Sequence, residues 1–326
     1  AAALLGTSVS AINGLVLTLA ASAGTTVTGA AVQHDDTAAL SAAISTGNRL
    51  VDVPAGDYLV SNGNFGAANT WIRGAGMDAT TIRTRPDWPG GTAVFYVDSG
   101  ANNFRVSDMA IRCTSLDPSH AGYAMAAGYA STVTNVIFER LYIHGNNSYF
   151  PGGGAAALLS HAEYSTIQDC IFEPTSGYTG APMNAVALRG NHNSFIRNVV
   201  NGKGYMGLGQ TYGGTDLLMA DNLAYNVAGP TSGVPYALNI NSAAIMNSNI
   251  SVVHNHIIAG ANTPASTTGI SIGGTSGTIK VRISGNIVDG MPGSAITLLG
   301  SAALTDVSID GNRLANSGRY GVEKDT

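Results

Sequence analysis

The sequence predicts an all-β fold, a right-handed parallel β-helix with an N-terminal capping helix, on three observations. The first is a repeat. Between Val106 and Leu314 the chain returns to one pattern: an apolar residue, any two, a turn residue, any one, and a second apolar residue. The apolar pairs are Val106 with Ile111, Phe138 with Ile143, Ile167 with Phe172, Phe195 with Val200, Met219 with Ala224, Val252 with Ile257, Ile283 with Val288 and Ile309 with Leu314. Intervals of roughly 24 to 33 residues, in units that cannot bury an apolar face alone, mark a solenoid. The second is period-two alternation in short β-rich runs such as Val281-Arg282-Ile283-Ser284 and Ile296-Thr297-Leu298-Leu299, with no helical period in the repeats. The third is the turn residue itself. After Met109, Leu141 and Cys170 it is Asn198, Asn222, Asn255, Asn286 and Asn312, so stacked turns set amide on amide. Parallel crossovers are right-handed, which gives the hand of the coil.

Composition agrees. The chain has 42 glycines, which suit tight corners, and only 11% charged residues. At 326 residues it is long for one globular core, but a solenoid grows by stacking. We therefore expect an arm over residues 1–30 and a single β-helix domain over 31–326. A net charge of −5 without a Lys/Arg run argues against a nucleic-acid partner, and nothing reads as a membrane span. Cys113 and Cys170 occupy different repeat positions and read as buried thiols, not a disulfide or metal pair. No cofactor or metal is implied; calcium would be compatible, but nothing indicates it.

Taken in order, Ala1 to Ala11 resembles the end of a secretory signal without its charged start. Leu5, Val9, Ile12, Val16 and Leu19 fit a heptad that could join copies, whereas Leu15, Leu17 and Leu19 fit a strand. The expectation is an ordered arm packed on the first turn, in a monomer or a homotrimer. The run Asp35-Asp36-Thr37-Ala38-Ala39-Leu40, continuing to Ile44, reads as an N-capped amphipathic helix over 35–46 with Leu40 and Ile44 on one face. Such a helix would cover the open end of the coil. Leu50 to Val60 then gives strand, turn and strand, and Ile72 to Ile82 the next turn.

Asp35-Asp36-Thr37-Ala38-Ala39-Leu40, Val53-Pro54-Ala55-Gly56-Asp57-Tyr58 and Arg73-Gly74-Ala75-Gly76 resemble the N-terminal cap of pectate-lyase-like β-helix proteins. That superfamily includes secreted polysaccharide lyases, hydrolases and epimerases, and the trimeric tailspikes of bacteriophages. The resemblance implies the fold and a polysaccharide partner, met outside the cell by a secreted protein or at a virion surface. It is sharp over residues 30–85 and general beyond. The Gly-Asp-Gly that often precedes the Asp pair is replaced by Ala31-Val32-Gln33-His34. The polygalacturonase and alginate-epimerase catalytic signatures are absent, so the chemistry has to come from position in the coil.

Two columns stand out when the repeats are aligned. One residue before the turn lie Asp108, Arg140, Asp169, Arg197, Asp221 and His254, alternating in sign. They read as a ladder of exposed ion pairs, each worth about 0 to 1 kcal/mol, that favours the register. Three residues after the turn lie Arg112, His144, Glu173, Asn201 and Tyr225; two further come Thr114, Asn146, Thr175 and Lys203. Long loops follow, carrying His120, Tyr123, Tyr149 and Tyr178, and the strands beyond end near His161 and Arg189. Insertions that share a face of a solenoid are where function concentrates. Taken singly, each of these polar positions is more simply a solvated surface residue.

Glycoside hydrolysis needs two carboxylates, roughly 5–5.5 or 6.5–9.5 Å apart. Here the face offers Glu173 and Glu163 with few other acids. β-Elimination on a uronic acid needs cations for the carboxylate, a base for the C5 proton and an acid for the leaving oxygen. The inventory favours it, with His144, Lys203, Arg112 and Glu173 as catalytic candidates and His161, Arg189, Asn146, Tyr149, Tyr178 and Tyr225 as substrate-binding ones. The alternative is a tailspike- or adhesin-type β-helix that binds or hydrolyses a surface glycan.

Overall fold

The computed structural model describes residues 9–13, 16–19, 34–85, 93–113, 122–145, 155–174, 183–203, 206–227, 236–241, 247–261, 263–273, 279–299 and 304–324. The chain divides into two compact units, 1–34 and 35–326. In the first, Val9–Asn13 pairs antiparallel with Val16–Leu19, Ile12 opposite Leu17. The strand reading therefore holds here in place of the heptad for Leu17 and Leu19. Leu5 lies outside the described residues.

The second unit is a parallel β-solenoid with three ladders. The first runs from Leu50–Val53 and Trp71–Gly74 through Thr166–Gln168, Ser194–Ile196, Leu218–Ala220 and Ile250–Val253 to Leu304–Asp310. The second runs from Gly56–Val60 and Thr80–Thr84 through Ile171–Glu173, Val199–Asn201, Leu223–Val227 and His256–Ala259 to Arg313–Ala315. Arg105–Arg112 and Ile137–His144 pass through the corner and pair in both ladders. The third is a nine-stranded sheet from Ala93–Val97 to Val322–Lys324.

The repeat sets the register. Val106 pairs with Phe138, which pairs with Ile167, and the series continues through Phe195, Met219, Val252 and Ile283 to Ile309. The second apolar series, from Ile111 to Leu314, is aligned in the same way. Ile72 and Ile82 extend both series toward the N-terminus. These side chains fill the coil, with Phe138, Ile167, Phe195 and Met219 all at 0% exposure.

At the corner between the first two ladders the asparagines form the expected stack. The Asn222 N–H donates to Asn255 Oδ1 at 3.1 Å, the Asn255 N–H to Asn286 Oδ1 at 2.9 Å, and the Asn286 N–H to Asn312 Oδ1 at 2.9 Å. Each Nδ2 also reaches a backbone carbonyl, as Asn255 does at Met219 (2.9 Å). Just before the asparagines, the charged column adopts a conformation that sequence reading missed. Asp108, Arg140, Asp169, Arg197, Asp221 and His254 all have φ between 48° and 61°. Gly285 and Gly311 complete the column at 65° and 59°, where a glycine carries no Cβ penalty.

A second left-handed column marks the corner between the third and first ladders. Asn48, Asn69, Asn103, Asn135, Tyr164, His192, Asp216 and Asn249 all have φ of 52–56°.

The expected helix is Thr37–Ser45, and it buries Leu40 and Ile44. The N-cap expectation needs correction. Asp36 makes no side-chain cap hydrogen bond; its Oδ2 accepts the Leu59 N–H at 2.9 Å, while Asp35 Oδ1 takes the Thr37 N–H at 3.0 Å. Tyr123, expected on a loop, opens the strand Tyr123–Ala127 and is only 6% exposed. With Ala93, Ala126, Ala155, Leu158 and Ala187 it forms a second apolar cluster, separate from the coil interior. Both cysteines are free thiols, and burial pushes Cys170 up to about 12.

Candidate functional site

Four of the residues predicted as catalytic meet on the outer face of the second ladder. Ile111, Ile143, Phe172 and Val200 point into the coil, so alternation turns their neighbours outward. Pairing sets Arg112 beside His144 and His144 beside Glu173 on successive rungs. Asn201 and Tyr225 continue the row, paired with each other. Lys203 reaches back from the turn after Val199–Asn201, and its Nζ lies 2.6 Å from Glu173 Oε1.

Glu173 organises the cluster. Tyr142 donates its hydroxyl to Glu173 Oε2 at 2.8 Å, and Asn201 Nδ2 donates to Oε1 at 3.2 Å. Burial alone would raise the Glu173 carboxyl, but the bonds from Lys203 and Tyr142 outweigh it and hold the group below its ordinary range. Burial, with Glu173 beside it, pushes the Tyr142 phenol up to about 12. His144 is held below the ordinary histidine range, first by burial and then by the charges of Lys203 and Arg112, with Glu173 opposing. Its ring lies 5.7 Å from that of Tyr142. The arrangement is an imidazole of lowered basicity beside two cations and a carboxylate already engaged by three donors. Among the described residues no cluster could hold a metal ion.

The other candidates lie elsewhere. His161 and Arg189 follow the third-ladder strands Ala155–Leu159 and Met183–Leu188, so the width of that sheet separates them from the row that holds His144. The expectation that His161 and Arg189 share one groove with Arg112, His144, Glu173 and Lys203 does not hold: the strands end near these two residues, as read from the sequence, but that end is the one away from the row. Glu163 belongs to a short bridging strand, Ala162–Glu163, where it takes a hydrogen bond from Asn191 at 3.2 Å. It does not join Glu173 as a second carboxylate. Asn146, Tyr149 and Tyr178 lie outside the described residues. Sequence reasoning missed Tyr142, two residues before His144 on the same outward face, where alternation alone would have placed it.

A family model described as rhamnogalacturonase A/epimerase, pectate-lyase-like, matches residues 26–235. No curated protein sequence matches the chain. Among solved structures, it is similar to the Streptococcus pneumoniae surface protein and adhesin PfbA, at a TM-score of 0.56 and 14% identity over 90% of this chain and 97% of that one. It is also similar to the enzymatically active domain of bacteriophage CBA120 tailspike protein 2, at a TM-score of 0.58 and 12% identity over 86% of this chain. The match spans 41% of the tailspike chain. At such identities the likeness carries the fold alone. Among the described residues no helix is long and apolar enough to cross a membrane. The family match covers well over half of the sequence, and the chain belongs to the rhamnogalacturonase A/epimerase, pectate-lyase-like family of right-handed parallel β-helices.

Proposed function

We propose that the chain cleaves an acidic polysaccharide by β-elimination at the row of Arg112, His144, Glu173 and Lys203. One observation carries the reading: His144 stands on the rung between Arg112 and the Lys203–Glu173 pair, where burial and those cations lower its affinity for a proton. A neutral imidazole can accept a proton, and flanking cations attract the anion whose carbon acid it would deprotonate. Arg112 and Lys203 would neutralise the uronate carboxylate. His144 would take the C5 proton as the C4–C5 double bond forms and the C4–O bond breaks. The leaving oxygen takes a proton from Lys203 or Tyr142. Glu173 orients these donors and is too well engaged to act as the acid of a hydrolase.

In the same reading the helix Thr37–Ser45 shields the first turn of the coil, and the substrate is met outside the cell. The competing reading, a spike or adhesin that only binds glycan, draws on the same closure of Glu173 by Lys203, Tyr142 and Asn201, which a purely structural cluster would also show. Incubation with polygalacturonate, alginate and dextran separates the two. New reducing ends with absorbance near 235 nm are expected on an acidic polymer, falling about 100-fold in His144→Ala. Reducing ends without absorbance would replace elimination by hydrolysis, and retention without cleavage would leave the adhesin. The acid limb of turnover should lie below the ordinary histidine range. It should move up in Lys203→Met, which removes one of the charges that depress His144.

A further inference from the structure

The left-handed column between the third and first ladders leaves asparagine at three successive turns, Tyr164, His192 and Asp216, and of these Tyr164 alone falls outside the Asn, Asp and His types that favour the conformation. From Asn48 to Asn135 its side chains form a chain of amides: Asn69 Nδ2 donates to Asn48 Oδ1 at 2.9 Å, Asn103 to Asn69 at 2.7 Å and Asn135 to Asn103 at 3.2 Å. Further down, Asp216 Oδ1 accepts Asn249 Nδ2 at 2.9 Å, and Asp216 Oδ2 lies 3.2 Å from His192 Nδ1. Between the two stands Tyr164, at φ 53° and 58% exposed. Asparagine adopts this conformation with little strain because its short side chain bonds locally, whereas a bulky ring is an outlier there. Tyr164 keeps the backbone bond of this corner, its N–H donating to the Asn191 carbonyl at 3.2 Å, but adds no side-chain amide to the chain. It lies flat on His192, ring centroids 4.4 Å apart and planes 6° from parallel. An asparagine would suit the coil better. Strain kept against a cheaper alternative is found where a surface meets a ligand.

His161 stands on the same corner, just before the bridging strand Ala162–Glu163. It is exposed, with Nδ1 3.0 Å from the Gly128 carbonyl oxygen. An exposed phenol braced by a second ring offers an apolar plate, with its uncovered face turned away from His192. We propose that Tyr164, braced from one side by His192, forms a saccharide contact site that takes the C–H face of a hexopyranose ring on the other side of its phenol ring. The proposal rests on the reading of the chain as glycan-acting. The site is apart from the His144 row, at the far end of the third-ladder strands.

Affinity electrophoresis through polygalacturonate, as acidic probe, and dextran, as neutral probe, tests it, together with thermal melting. Tyr164→Asn should melt higher than the wild type and lose at least tenfold in affinity for the retained polymer, while Tyr164→Phe keeps both near wild type. Unchanged retention of Tyr164→Asn overturns the site, as does a lower melting temperature, which would show that the ring is there for the coil. A wild type retained by neither polymer also overturns it. If Tyr164→Asn binds normally and His144→Ala alone loses turnover, this site falls and the reaction stands. If Tyr164→Asn loses retention and His144→Ala cleaves normally, the site stands and the proposed base falls.

Discussion

Two corners of the same coil use asparagine, and they use it differently. At the corner between the first and second ladders the amides are buried: Asn198, Asn222 and Asn255 are each 1% exposed. There the oxygens of Asn222, Asn255 and Asn286 each accept a backbone N–H and a side-chain amide from the turn before, Asn198 Oδ1 accepts the Cys170 N–H, and each nitrogen reaches a carbonyl. At the corner between the third and first ladders, Asn48, Asn69, Asn103 and Asn135 are exposed and bond to one another in single file. Burial explains the difference. A buried amide has to satisfy its own atoms and the backbone around it, so the residue type is fixed. Where water can take over, the backbone conformation is the one lasting demand, and Tyr164, His192 and Asp216 enter the column.

The comparison is broken most directly at Asn255. Asn255→Ala removes the acceptor of the Asn222 N–H (3.1 Å) and of Asn222 Nδ2 (2.8 Å), and the donor to Met219 O (2.9 Å). Several bonds at about 1 kcal/mol each, with a buried N–H left orphaned, give an expected loss of about 3 kcal/mol in urea denaturation. A loss below about 1 kcal/mol would put the buried corner on a level with the exposed one.

The corners should also differ in their response to acid. Asp98, at the exposed corner, accepts hydrogen bonds from the N–H groups of Ser99 (2.9 Å) and Ala130 (2.8 Å), from both N–H and hydroxyl of Ser131, and from Tyr96. Burial would raise its carboxyl, but these bonds dominate and hold it well below the usual carboxylate range. A pKa depressed by folding contributes stability that is present above the unfolded value, near 3.8, and lost as pH falls through and below it. Between about pH 5 and pH 2 the wild type should lose stability that Asp98→Asn, weaker at neutral pH, does not lose further. Asn255→Ala should keep the wild-type slope, because amides do not titrate. A steeper slope in Asp98→Asn would reverse the assignment.

What could be read in advance follows the same division. The register from Val106 to Ile309 was legible because one slip would turn an apolar series outward. The buried asparagines were legible because their neighbours fix their type. Arg112, His144, Glu173 and Lys203 were brought together correctly by counting from the corner. His161 and Arg189 were read at the ends of their strands, which holds, but were grouped with the row although a whole third-ladder strand lies between them and His144. The left-handed columns were invisible, since Arg140 or His192 does not announce a positive φ as glycine does. Tyr142 was not singled out, although its hydroxyl donates to Glu173.

Smaller effects sharpen the contrast. Asn103→Ala at the exposed corner loses bonds to Asn69 (2.7 Å) and from Asn135 (3.2 Å) in contact with water, and puts a Cβ without local bonding at φ 56°. The cost should be about 1 kcal/mol, a fraction of that at Asn255, and mostly conformational. Asn103→Gly should recover most of it. Failure of glycine to do so would show that the amide chain, not the backbone, holds this corner.

The smallest effect is expected in the charged column beside the buried asparagines. Arg140 pairs with Asp108 at 2.6 Å and with Glu139 at 2.8 Å, yet its side chain is 41% exposed. Such pairs contribute about 0–1 kcal/mol. Arg140 also sits at φ 48°, the region that Gly285 and Gly311 occupy in the same column without a Cβ. Glu139, buried beneath it, keeps Arg105 and Gln168 as donors when Arg140 is removed. In Arg140→Gly the lost pair and the relieved backbone strain should therefore nearly cancel, leaving stability within about 0.5 kcal/mol of wild type, with weaker dependence on salt. A loss above about 1.5 kcal/mol would mean that the charges, and not the asparagines behind them, hold the corner.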